Sequence, residues 1–345
     1  MEKADNSVGW SCPSNIALVK YWGKHGSQLP NNPSISFTLD YCRTETSVSL
    51  FHRNAESPFV ELFFEGKPNT LFSDRIENYL NNLKAELPWV NDYRFLITTQ
   101  NSFPHSSGIA SSASAFGALG LCLAELNSQI VGKAHNFEMD FASRLARLGS
   151  GSAARSLFSG FAVWGESTLL DGFSNEFAQQ LPPVHPIFSN LHDSIAIVHA
   201  GVKEVSSSAG HSLMKNHPFA NARYEQAQKH VATLITCLKE GDWTTFSLIV
   251  EKEALTLHAL MMSSEQPFLL LKPASLAIIE QIHRFRKQTN LPITYTIDAG
   301  PNIHILYPGE HSEAIRGFIE SDLKKNVDIA HVIHDKAGKG PYKLT

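Results

Sequence analysis

The first part of the chain alternates apolar and polar positions in short runs. The alternation is clear over Ile35–Leu39 and again over Thr44–Leu50, and Phe59–Phe64 forms a third short apolar run. A period of two is typical of half-buried β-strands, so these runs predict an antiparallel meander. Apolar residues at helical spacing over Ile76–Leu83 then predict a helix, with Ser73 as its N-cap.

A strand, a loop of small residues and a helix follow one another after this meander. Phe95–Ile97 is a short apolar run, and the stretch Asn101–Ala118 after it is rich in Ser, Ala and Gly. Apolar residues at helical spacing begin inside that stretch, and they predict a helix from about Ser112 to Leu126. The loop therefore lies between the end of a strand and the start of a helix.

The rest of the chain contains mostly helical patterns and a few strands. Pro182, Pro183 and Pro186 interrupt the pattern, and we place a boundary here between two lobes, residues 1–188 and 189–345. Strand meanders with segregated helices favour an α+β fold over a parallel βαβ fold. The further predicted elements are helices at 137–148, 221–239, 243–262, 273–287 and 312–323, and strands at 161–164, 195–198, 293–297, 303–307 and 329–333.

Length and composition narrow the class of protein. A chain of 345 residues is long enough for two domains, and 43% hydrophobic and 18% charged residues are typical of a soluble globular protein. A net charge of −4 gives no reason to expect a nucleic-acid partner. The N-terminal residues lack a signal-peptide pattern, and no run approaches the roughly 18 apolar residues of a membrane span. We therefore expect a cytoplasmic protein without a membrane partner.

The cysteines and histidines predict no metal site. The four cysteines lie far apart without a CxxC pair, which argues against a zinc ribbon, a redox motif or a disulfide framework. Although there are 16 histidines, no HExxH motif and no close His/Cys ligand spacing occurs. Histidines scattered over the surface and core are the simpler interpretation.

The serine-rich loop is the first candidate for chemistry. A phosphate could bind here, because the first turn of a helix has unpaired N–H groups and a partial positive charge. The loop lacks the lysine of the GxxxxGK[ST] motif, so cations must come from elsewhere. An ordinary helix capped by serine is the alternative. The loop residues in question are Ser106, Ser107, Gly108, Ser111 and Ser112.

Three other segments carry charged residues that suit a phosphorylated ligand. Lys20 and Lys24 lie four residues apart, Arg155 lies in the small-residue cluster Gly149–Ser156, and Asp298 ends a predicted strand. Taken singly, each has a simpler interpretation, such as solvated lysines or an aspartate in an ordinary turn. Together with the serine loop they make an inventory for phosphoryl transfer, with cations for anionic groups and a carboxylate beside the attacking hydroxyl. They favour an ATP-using enzyme.

Six segments match motifs of one enzyme family. They are NIALVKYWGK (15–24), NPSISFTL (32–39), FPHSSGIASSAS (103–114), RLGSGSAARS (147–156), KEVSSSAG (203–210) and DAGPN (298–302). The segments span nearly the whole chain in the family's order. On these motifs the chain resembles the mevalonate diphosphate decarboxylase (diphosphomevalonate decarboxylase) family of the GHMP kinase superfamily.

The resemblance implies a fold and a reaction. The fold would have two lobes, an N-terminal lobe like ribosomal protein S5 and a C-terminal α/β sandwich, with the active site in the cleft between them. In the implied reaction of the mevalonate pathway, ATP phosphorylates the tertiary hydroxyl of mevalonate 5-diphosphate. Loss of phosphate and CO2 then gives isopentenyl diphosphate for isoprenoid biosynthesis. ATP and Mg2+ are the implied cofactors, and a homodimer is expected by analogy with the family.

The resemblance also implies roles for individual residues. Asp298 corresponds to the aspartate beside the reacting hydroxyl, where it acts as a base or as an orienting and electrostatic group. Lys20 corresponds to the lysine near that aspartate, and Arg155 is expected near the substrate carboxylate and diphosphate. The other implied substrate-binding residues are Tyr21, Lys24, Ser150, Gly151, Ser152, Ser207 and Ser208, and the implied ATP-binding residues are Asn15, Ser106, Ser107, Gly108, Ser111 and Ser112.

One departure from the family pattern leaves alternatives open. Ser208 stands where some bacterial relatives place an arginine on the diphosphate. A decarboxylase or kinase acting on mevalonate 5-phosphate or mevalonate is therefore the nearest alternative. A non-catalytic nucleotide or metabolite sensor on the same scaffold is an alternative of a different class. A sensor would not need the complete set of candidate residues, which argues against it. The set is Lys20, Ser111, Arg155 and Asp298.

Overall fold

Two β-sheets form the frame of the molecule. The computed structural model describes residues 4–54, 56–104, 109–132, 138–198 and 207–344, with the side chains of 207–209 left out. The first strands are β1 (Asn6–Val19), β2 (Lys24–His25), β3 (Leu29–Pro30), β4 (Ser34–His52), β5 (Val60–Phe64), β6 (Lys67–Pro68), β7 (Tyr93–Asn101), β8 (Phe161–Trp164) and β9 (Gln179–Gln180). The later strands are β10 (Leu191–Ile197), β11 (Thr294–Ile297), β12 (Ile303–Pro308), β13 (His331–Lys336) and β14 (Tyr342–Lys343).

Helices cover both sheets. In chain order they are α1 (Thr70–Leu83), α2 (Ser111–Val131), α3 (Met139–Gly149), α4 (Pro186–Ser189), α5 (Ser207–Ser212), α6 (Ala220–Glu240), α7 (Trp243–Met262), α8 (Pro273–Thr289), α9 (Ser312–Phe318) and α10 (Lys324–Asn326). A π-helical turn, Ile319–Leu323, joins α9 to α10, and short 3-10 helices lie at Pro88–Asn91, Gly151–Leu157, Leu213–Asn216 and Gly309–His311.

The sheet of the first half has eight strands in the described residues. Its main path runs β14–β1–β4–β7–β5–β6, with β8 paired to β4 and β9 paired to β8. The two predicted strands over 35–39 and 44–50 are parts of one 19-residue strand, β4. The predicted antiparallel meander is wrong at one pairing, because β5 runs parallel to β7. A crossover through α1 connects β5 to β7, which is what a parallel pair requires.

The start of α1 also differs from the prediction. The N-cap is Asn69, whose side chain accepts a hydrogen bond from the Phe72 backbone N–H at 3.0 Å. Ser73 lies inside the helix, and its hydroxyl donates to the Asn69 carbonyl. An asparagine that caps the helix four residues earlier satisfies the same unpaired N–H groups.

The helix α2 is the central core helix of the first half. It packs against β1, β4 and α3, and 12 of its 21 residues are buried. A Cβ at Gly120 would lie only 2.8 Å from the Ala146 backbone nitrogen, so glycine allows α2 and α3 to approach closely. By length and composition α2 could cross a membrane, but a buried core helix meets the same criteria.

The two halves are joined by backbone hydrogen bonds as well as by a shared core. The second sheet is antiparallel, in the order β11–β12–β10–β13. The Asp335 carboxylate on β13 accepts hydrogen bonds from three consecutive backbone N–H groups of β4, at Asp40, Tyr41 and Cys42. The chain then returns to the first sheet, where β14 pairs with β1. The lobe boundary at residues 188 and 189 lies within α4 and stays a prediction.

Candidate active site

Lys20 and Asp298 form an ion pair where the two halves meet. Lys20 directly follows β1, and its Nζ donates to the Ala17 carbonyl and to Asp298 Oδ1, each at 2.7 Å. Lys20 is only 2% exposed, whereas the Asp298 side chain is 27% exposed. A buried ammonium group requires such partners, because burial of an unpaired charge is costly. The pair therefore presents one carboxylate to the solvent side of the site.

His258 supports the backbone of Asp298 from α7. Its Nε2 lies 3.2 Å from the Asp298 carbonyl oxygen. Burial lowers the pKa of His258 to about 4, so the ring is neutral near pH 7. Because a carbonyl can only accept, the proton of this neutral ring lies on Nε2.

Arg155 brings a fixed positive charge to the same region. Its Nε donates to Ser36 Oγ at 2.9 Å, its Nη1 donates to Ser34 Oγ, and the guanidinium lies 5.8 Å from the Trp164 ring centre. Burial lowers the pKa of Arg155 to about 10, and the nearby Asp298 charge opposes that shift. The guanidinium stays charged near pH 7. In the part of the chain that the structure describes, Nη2 makes no hydrogen bond.

Tyr21 lies beside this guanidinium and packs against the Gly149–Ser156 cluster. Its ring contacts Trp164 edge-on, with 4.7 Å between the ring centres. A Cβ at Gly151 would lie 2.7 Å from the Tyr21 hydroxyl oxygen, which explains the glycine at that position. The hydroxyl is buried and has no hydrogen-bond partner among the described residues. Such a group is the exception in folded proteins and suits a ligand contact.

His211 packs against Tyr21, and Lys24 lies near His211. The Lys24 ammonium donates to Gln28 Oε1 at 2.9 Å, and burial lowers the pKa of Lys24. The His211 Nδ1 accepts from the Gly23 backbone N–H at 3.0 Å, and its ring centre lies 4.2 Å from that of Tyr21. Burial and the Lys24 charge lower the pKa of His211 to about 3. The neutral ring therefore carries its proton on Nε2 and can donate it to an anion.

The start of α2 carries the described part of the serine loop. Ser106, Ser107 and Gly108 lie outside the described residues, whereas Ser111 and Ser112 form the first turn of α2. The Ser112 and Ser150 hydroxyls are 3.3 Å apart, so the two small-residue segments meet. Unpaired N–H groups of the first turn favour an anion here, as the sequence predicts.

A cavity opens beside this helix start. It has a volume of about 170 Å³ and lies between α1, α2 and the strands β4, β5 and β7. Arg75 reaches it and lies over the Phe116 ring, with the guanidinium carbon 4.8 Å from the ring centre. The lining is mostly apolar, and it includes Leu62, Phe64, Phe72, Ile76, Ile97, Ala115, Phe116 and Leu119, with Thr44, Thr46, Thr99, Asn101, Ser111 and Ser112 as polar members.

For three further predicted positions, the described part of the structure shows no direct contact with a ligand site. Asn15 is 2% exposed, and its side-chain amide donates to the Ser152 carbonyl at 3.0 Å and to Ser156 Oγ at 2.8 Å. These hydrogen bonds hold the Gly151–Leu157 turn in place. A contact of Asn15 with the nucleotide stays a prediction. Ser207 and Ser208 begin α5, but their side chains lie outside the described residues.

Sequence reasoning did not assign roles to several residues at this site. Ser34 and Ser36 accept hydrogen bonds from Arg155. The NPSISFTL segment that contains them matched the family, but no role was assigned to either serine. Glu253 accepts a hydrogen bond from the Lys20 backbone N–H at 2.9 Å. The sequence does contain a signal for Glu253, because it is a charged residue among the apolar positions of α7. The buried face of a core helix seldom carries a charged residue.

The described residues offer no dedicated metal site. No three His, Cys, Asp or Glu side chains converge within them in a way that could hold a metal ion. A magnesium ion that accompanies a nucleotide takes many of its ligands from phosphate oxygens and water. The arrangement of the site is compatible with that mode of binding.

Comparison with known proteins identifies the family. Residues 12–174 match the family model of the diphosphomevalonate decarboxylase-like N-terminal domain, and residues 194–344 match that of the mevalonate 5-diphosphate decarboxylase C-terminal domain. The diphosphomevalonate decarboxylase of Ganoderma lucidum is 32% identical over 327 residues, which cover 88% of this chain and 79% of the relative. The chain belongs to the diphosphomevalonate decarboxylase family. The resemblance inferred from the sequence motifs is thereby confirmed.

Solved structures of the diphosphomevalonate decarboxylase family have the same fold. The mevalonate diphosphate decarboxylase of Staphylococcus aureus superposes with a TM-score of 0.84 at 28% identity, over 98% of each chain. A structure of MDDEF in complex with MVAPP, AMPPCP and magnesium gives the same TM-score, identity and coverage. The two-lobed GHMP kinase fold that the motifs implied is confirmed.

Proposed function

We propose that this enzyme phosphorylates and decarboxylates mevalonate 5-diphosphate with ATP, giving isopentenyl diphosphate, ADP, phosphate and CO2. The observation that carries the proposal is the Lys20–Asp298 ion pair, which places one partly exposed carboxylate near the buried Arg155 guanidinium. The ligands of the related MDDEF structure, MVAPP and AMPPCP, support the same substrate and an ATP-type nucleotide. Mevalonate 5-diphosphate carries a hydroxyl, a carboxylate and two phosphates, and the site has a group suited to each.

Asp298 contacts the hydroxyl that becomes phosphorylated. A tertiary hydroxide is a poor leaving group, so the enzyme first converts it to a phosphate ester. The Asp298 carboxylate orients this hydroxyl and accepts its proton as the oxygen attacks the terminal phosphorus of ATP. The Lys20 ammonium, 2.7 Å from Asp298 Oδ1, stabilises the negative charge of that carboxylate and fixes its direction.

Arg155 and Tyr21 bind the anionic groups of the substrate. The Arg155 Nη2 and the Tyr21 hydroxyl both lack partners among the described residues, and both can donate to a carboxylate or phosphate oxygen. When phosphate departs, the tertiary carbon gains positive character. Breakage of the bond to the carboxylate carbon supplies the electron pair that forms the double bond, and CO2 leaves.

The diphosphate of the substrate lies near Lys24 and His211. Lys24 supplies a charge, and His211 supplies a neutral N–H donor. Ser207, Ser208 and the backbone of Ser150–Ser152 complete the substrate site, as the family motifs imply. Gly151 contributes indirectly, because its lack of a side chain leaves space for the Tyr21 hydroxyl, which would lie 2.7 Å from a Cβ at this position.

The nucleotide occupies the start of α2 and the adjoining cavity. The phosphates lie at the N–H groups of the first turn, beside Ser111 and Ser112. The family motifs imply the same role for Ser106, Ser107 and Gly108, which lie outside the described residues. The mostly apolar cavity of about 170 Å³ receives the base. Mg2+ would accompany the nucleotide and would offset part of the charge of its phosphates.

The preference among three substrates tests this assignment. We expect kcat/KM to be highest for mevalonate 5-diphosphate, lower for mevalonate 5-phosphate and lowest for mevalonate. The reason is that the number of phosphates available to Lys24 and His211 falls in this order. A preference for mevalonate 5-phosphate would replace the proposed substrate with the nearest alternative. Binding of all three without ADP formation would support the sensor.

We also propose that the enzyme forms a homodimer and acts in the cytoplasm. The dimer was expected from the family alone, and an exposed stripe on α7 now supports it. Leu248, Leu255 and Met262 are 67%, 45% and 43% exposed and lie seven residues apart, on one face of the helix. Two copies of α7, antiparallel about an axis at Leu255, would set Leu248 against Met262. Sedimentation equilibrium should give a dimer that Leu255→Glu dissociates, and a monomeric wild type would contradict it.

A further inference from the structure

A buried ion pair from the second half of the chain binds both the backbone N–H and the backbone carbonyl of Lys20. Glu253 on α7 accepts from the Lys20 backbone N–H through Oε2 at 2.9 Å. Arg223 on α6 donates from Nη2 to the Lys20 carbonyl at 3.0 Å. The two side chains also bind each other at 2.7 Å through both pairs of atoms, Nη1 to Oε1 and Nη2 to Oε2. One guanidinium–carboxylate unit thus holds the donor and the acceptor of a single residue.

The burial of this pair makes it unusual. Glu253 is fully buried, and Arg223 is 3% exposed. Burial alone would raise the pKa of Glu253, but Arg223 and His230 outweigh it and lower that pKa to about 2. An apolar pair of similar volume is often as stabilising as a buried ion pair. Stability therefore does not explain why these charges occur here, whereas an apolar pair could not bind the Lys20 backbone.

The Lys20 backbone has a special need for such support. The ladder between β1 and β4 ends at Val19, so the groups of Lys20 lie beyond the regular strand pairing. Asn32 gives the Lys20 carbonyl one more hydrogen bond, at 3.0 Å. A change in the backbone dihedral angles of Lys20 would swing its side chain and move Nζ away from Asp298. The direction of the ammonium thus depends on groups that never touch it.

We propose that Arg223 and Glu253 are positioning residues, which hold the Lys20 backbone so that its ammonium stays on Asp298. This inference rests on the proposed function of Lys20 and Asp298 in the reaction. The pair comes from two helices of the second half, and Lys20 comes from the first. The positioning pair therefore also sets the distance between the halves at the reacting groups.

The variant Glu253→Gln tests the inference. It keeps the shape of the side chain but removes the charge that pairs with Arg223. We expect kcat to fall by about 10- to 100-fold, because a small misplacement of a catalytic group costs that much. The KM values for ATP and mevalonate 5-diphosphate should change little, since neither residue contacts them. A kcat equal to that of wild type would overturn the inference.

Glu251→Gln is the matched control. Glu251 is on the same helix and forms an ion pair with Arg286 at 2.7 Å, which is less buried than the Arg223–Glu253 pair and makes no hydrogen bond to Lys20 in the described residues. We expect this variant to keep the wild-type kcat. An equal loss of kcat in both variants would indicate a general effect of weakening α7 and would overturn the inference.

A double-mutant cycle separates positioning from general stability. In a Lys20→Met background, Glu253→Gln should cause almost no further loss of kcat, because Glu253 acts through Lys20. If Glu253→Gln lowers kcat by the same factor in the Lys20→Met background as in wild type, the inference is overturned. If Glu253→Gln does not fold, Arg223→Met with Glu253→Met replaces it, since the double change leaves no unpaired buried charge. An inactive wild type would instead refute the proposed function.

Discussion

Lys20 and Asp298 are 278 residues apart in the sequence, and a hydrogen bond of 2.7 Å joins their side chains. The lysine follows the first strand of one sheet, and the aspartate follows β11 of the other. Neither half of the chain could form this pair alone. The chemistry proposed for Asp298 therefore depends on the contact between the halves, which the shared core and the Asp335 hydrogen bonds maintain.

Removal of the Asp298 charge should greatly lower turnover while leaving ATP binding intact. We expect Asp298→Asn to lower kcat by about 10²- to 10⁴-fold, the usual contribution of a general base. The dissociation constant of ATP, measured by calorimetry, should stay at the wild-type value. Asp322→Asn, the same change at an exposed position, is the control. Turnover that survives in Asp298→Asn would show that another group attends the hydroxyl.

Arg155 should be replaceable by no other cation. Lysine has one ammonium nitrogen in place of the planar guanidinium fork, so it cannot reproduce the separate Nε and Nη1 bonds to Ser36 and Ser34 and also place a donor where Nη2 lies. We expect Arg155→Lys to lower kcat/KM for mevalonate 5-diphosphate by about 10- to 100-fold, the effect of one charge-assisted hydrogen bond. Arg144→Lys, at a partly exposed arginine of α3, should have no such effect. Equal kcat/KM values for the two variants would refute the role of Arg155.

A larger side chain in the cavity beside α2 should weaken nucleotide binding selectively. Ala115 lines the cavity, so Ala115→Leu fills space that the base would occupy. We expect KM for ATP to rise about 10-fold, or ~1.4 kcal/mol, with KM for mevalonate 5-diphosphate unchanged. The same change at Ala222, exposed on α6, serves as the control. An unchanged KM for ATP would place the base elsewhere.

The two buried histidines should make the protein less stable in mild acid. The pKa values of His211 and His258 are lowered from 6.5 to about 3 and about 4, chiefly by burial. Between pH 4 and 6.5 the unfolded chain therefore binds protons that the folded chain excludes, and stability falls as the pH falls. At pH 5 each histidine should cost about 2 kcal/mol relative to pH 7.

Urea unfolding at several pH values measures this effect. The double variant His211→Asn with His258→Asn should lose most of the slope between pH 5 and 7. Glu253 adds nothing there, because its pKa is lowered from 4.5 to about 2 and it is ionised in both states. An unchanged slope in the double variant would mean that other groups cause the acid sensitivity.

The sequence located regular elements well where one face is buried. The helix predicted over 243–262 is α7, residue for residue, because its apolar face repeats at helical spacing. β1 was not predicted, since nearly all of its residues are buried and no alternation marks it. Charge and spacing made Lys20 a candidate, and the family motifs then implied its role beside Asp298.

Contacts between distant segments were beyond the reach of local patterns. Spacing suggested that Lys20 and Lys24 face one polyanion, but Gly23 between them has a φ of +93° and turns the chain. Lys20 therefore binds Asp298, and Lys24 binds Gln28. Glu253 lies 233 residues from Lys20, and no spacing rule connects them. Such pairs become visible only after the two halves pack together.

The ratio of CO2 to ADP tests the central claim most directly. Purified protein is incubated with Mg-ATP and mevalonate 5-diphosphate labelled at the carboxyl carbon, and released CO2 and ADP are counted together. We predict one CO2 for each ADP, with isopentenyl diphosphate as the organic product and no CO2 without ATP. Formation of ADP without CO2 would identify a kinase and contradict the account.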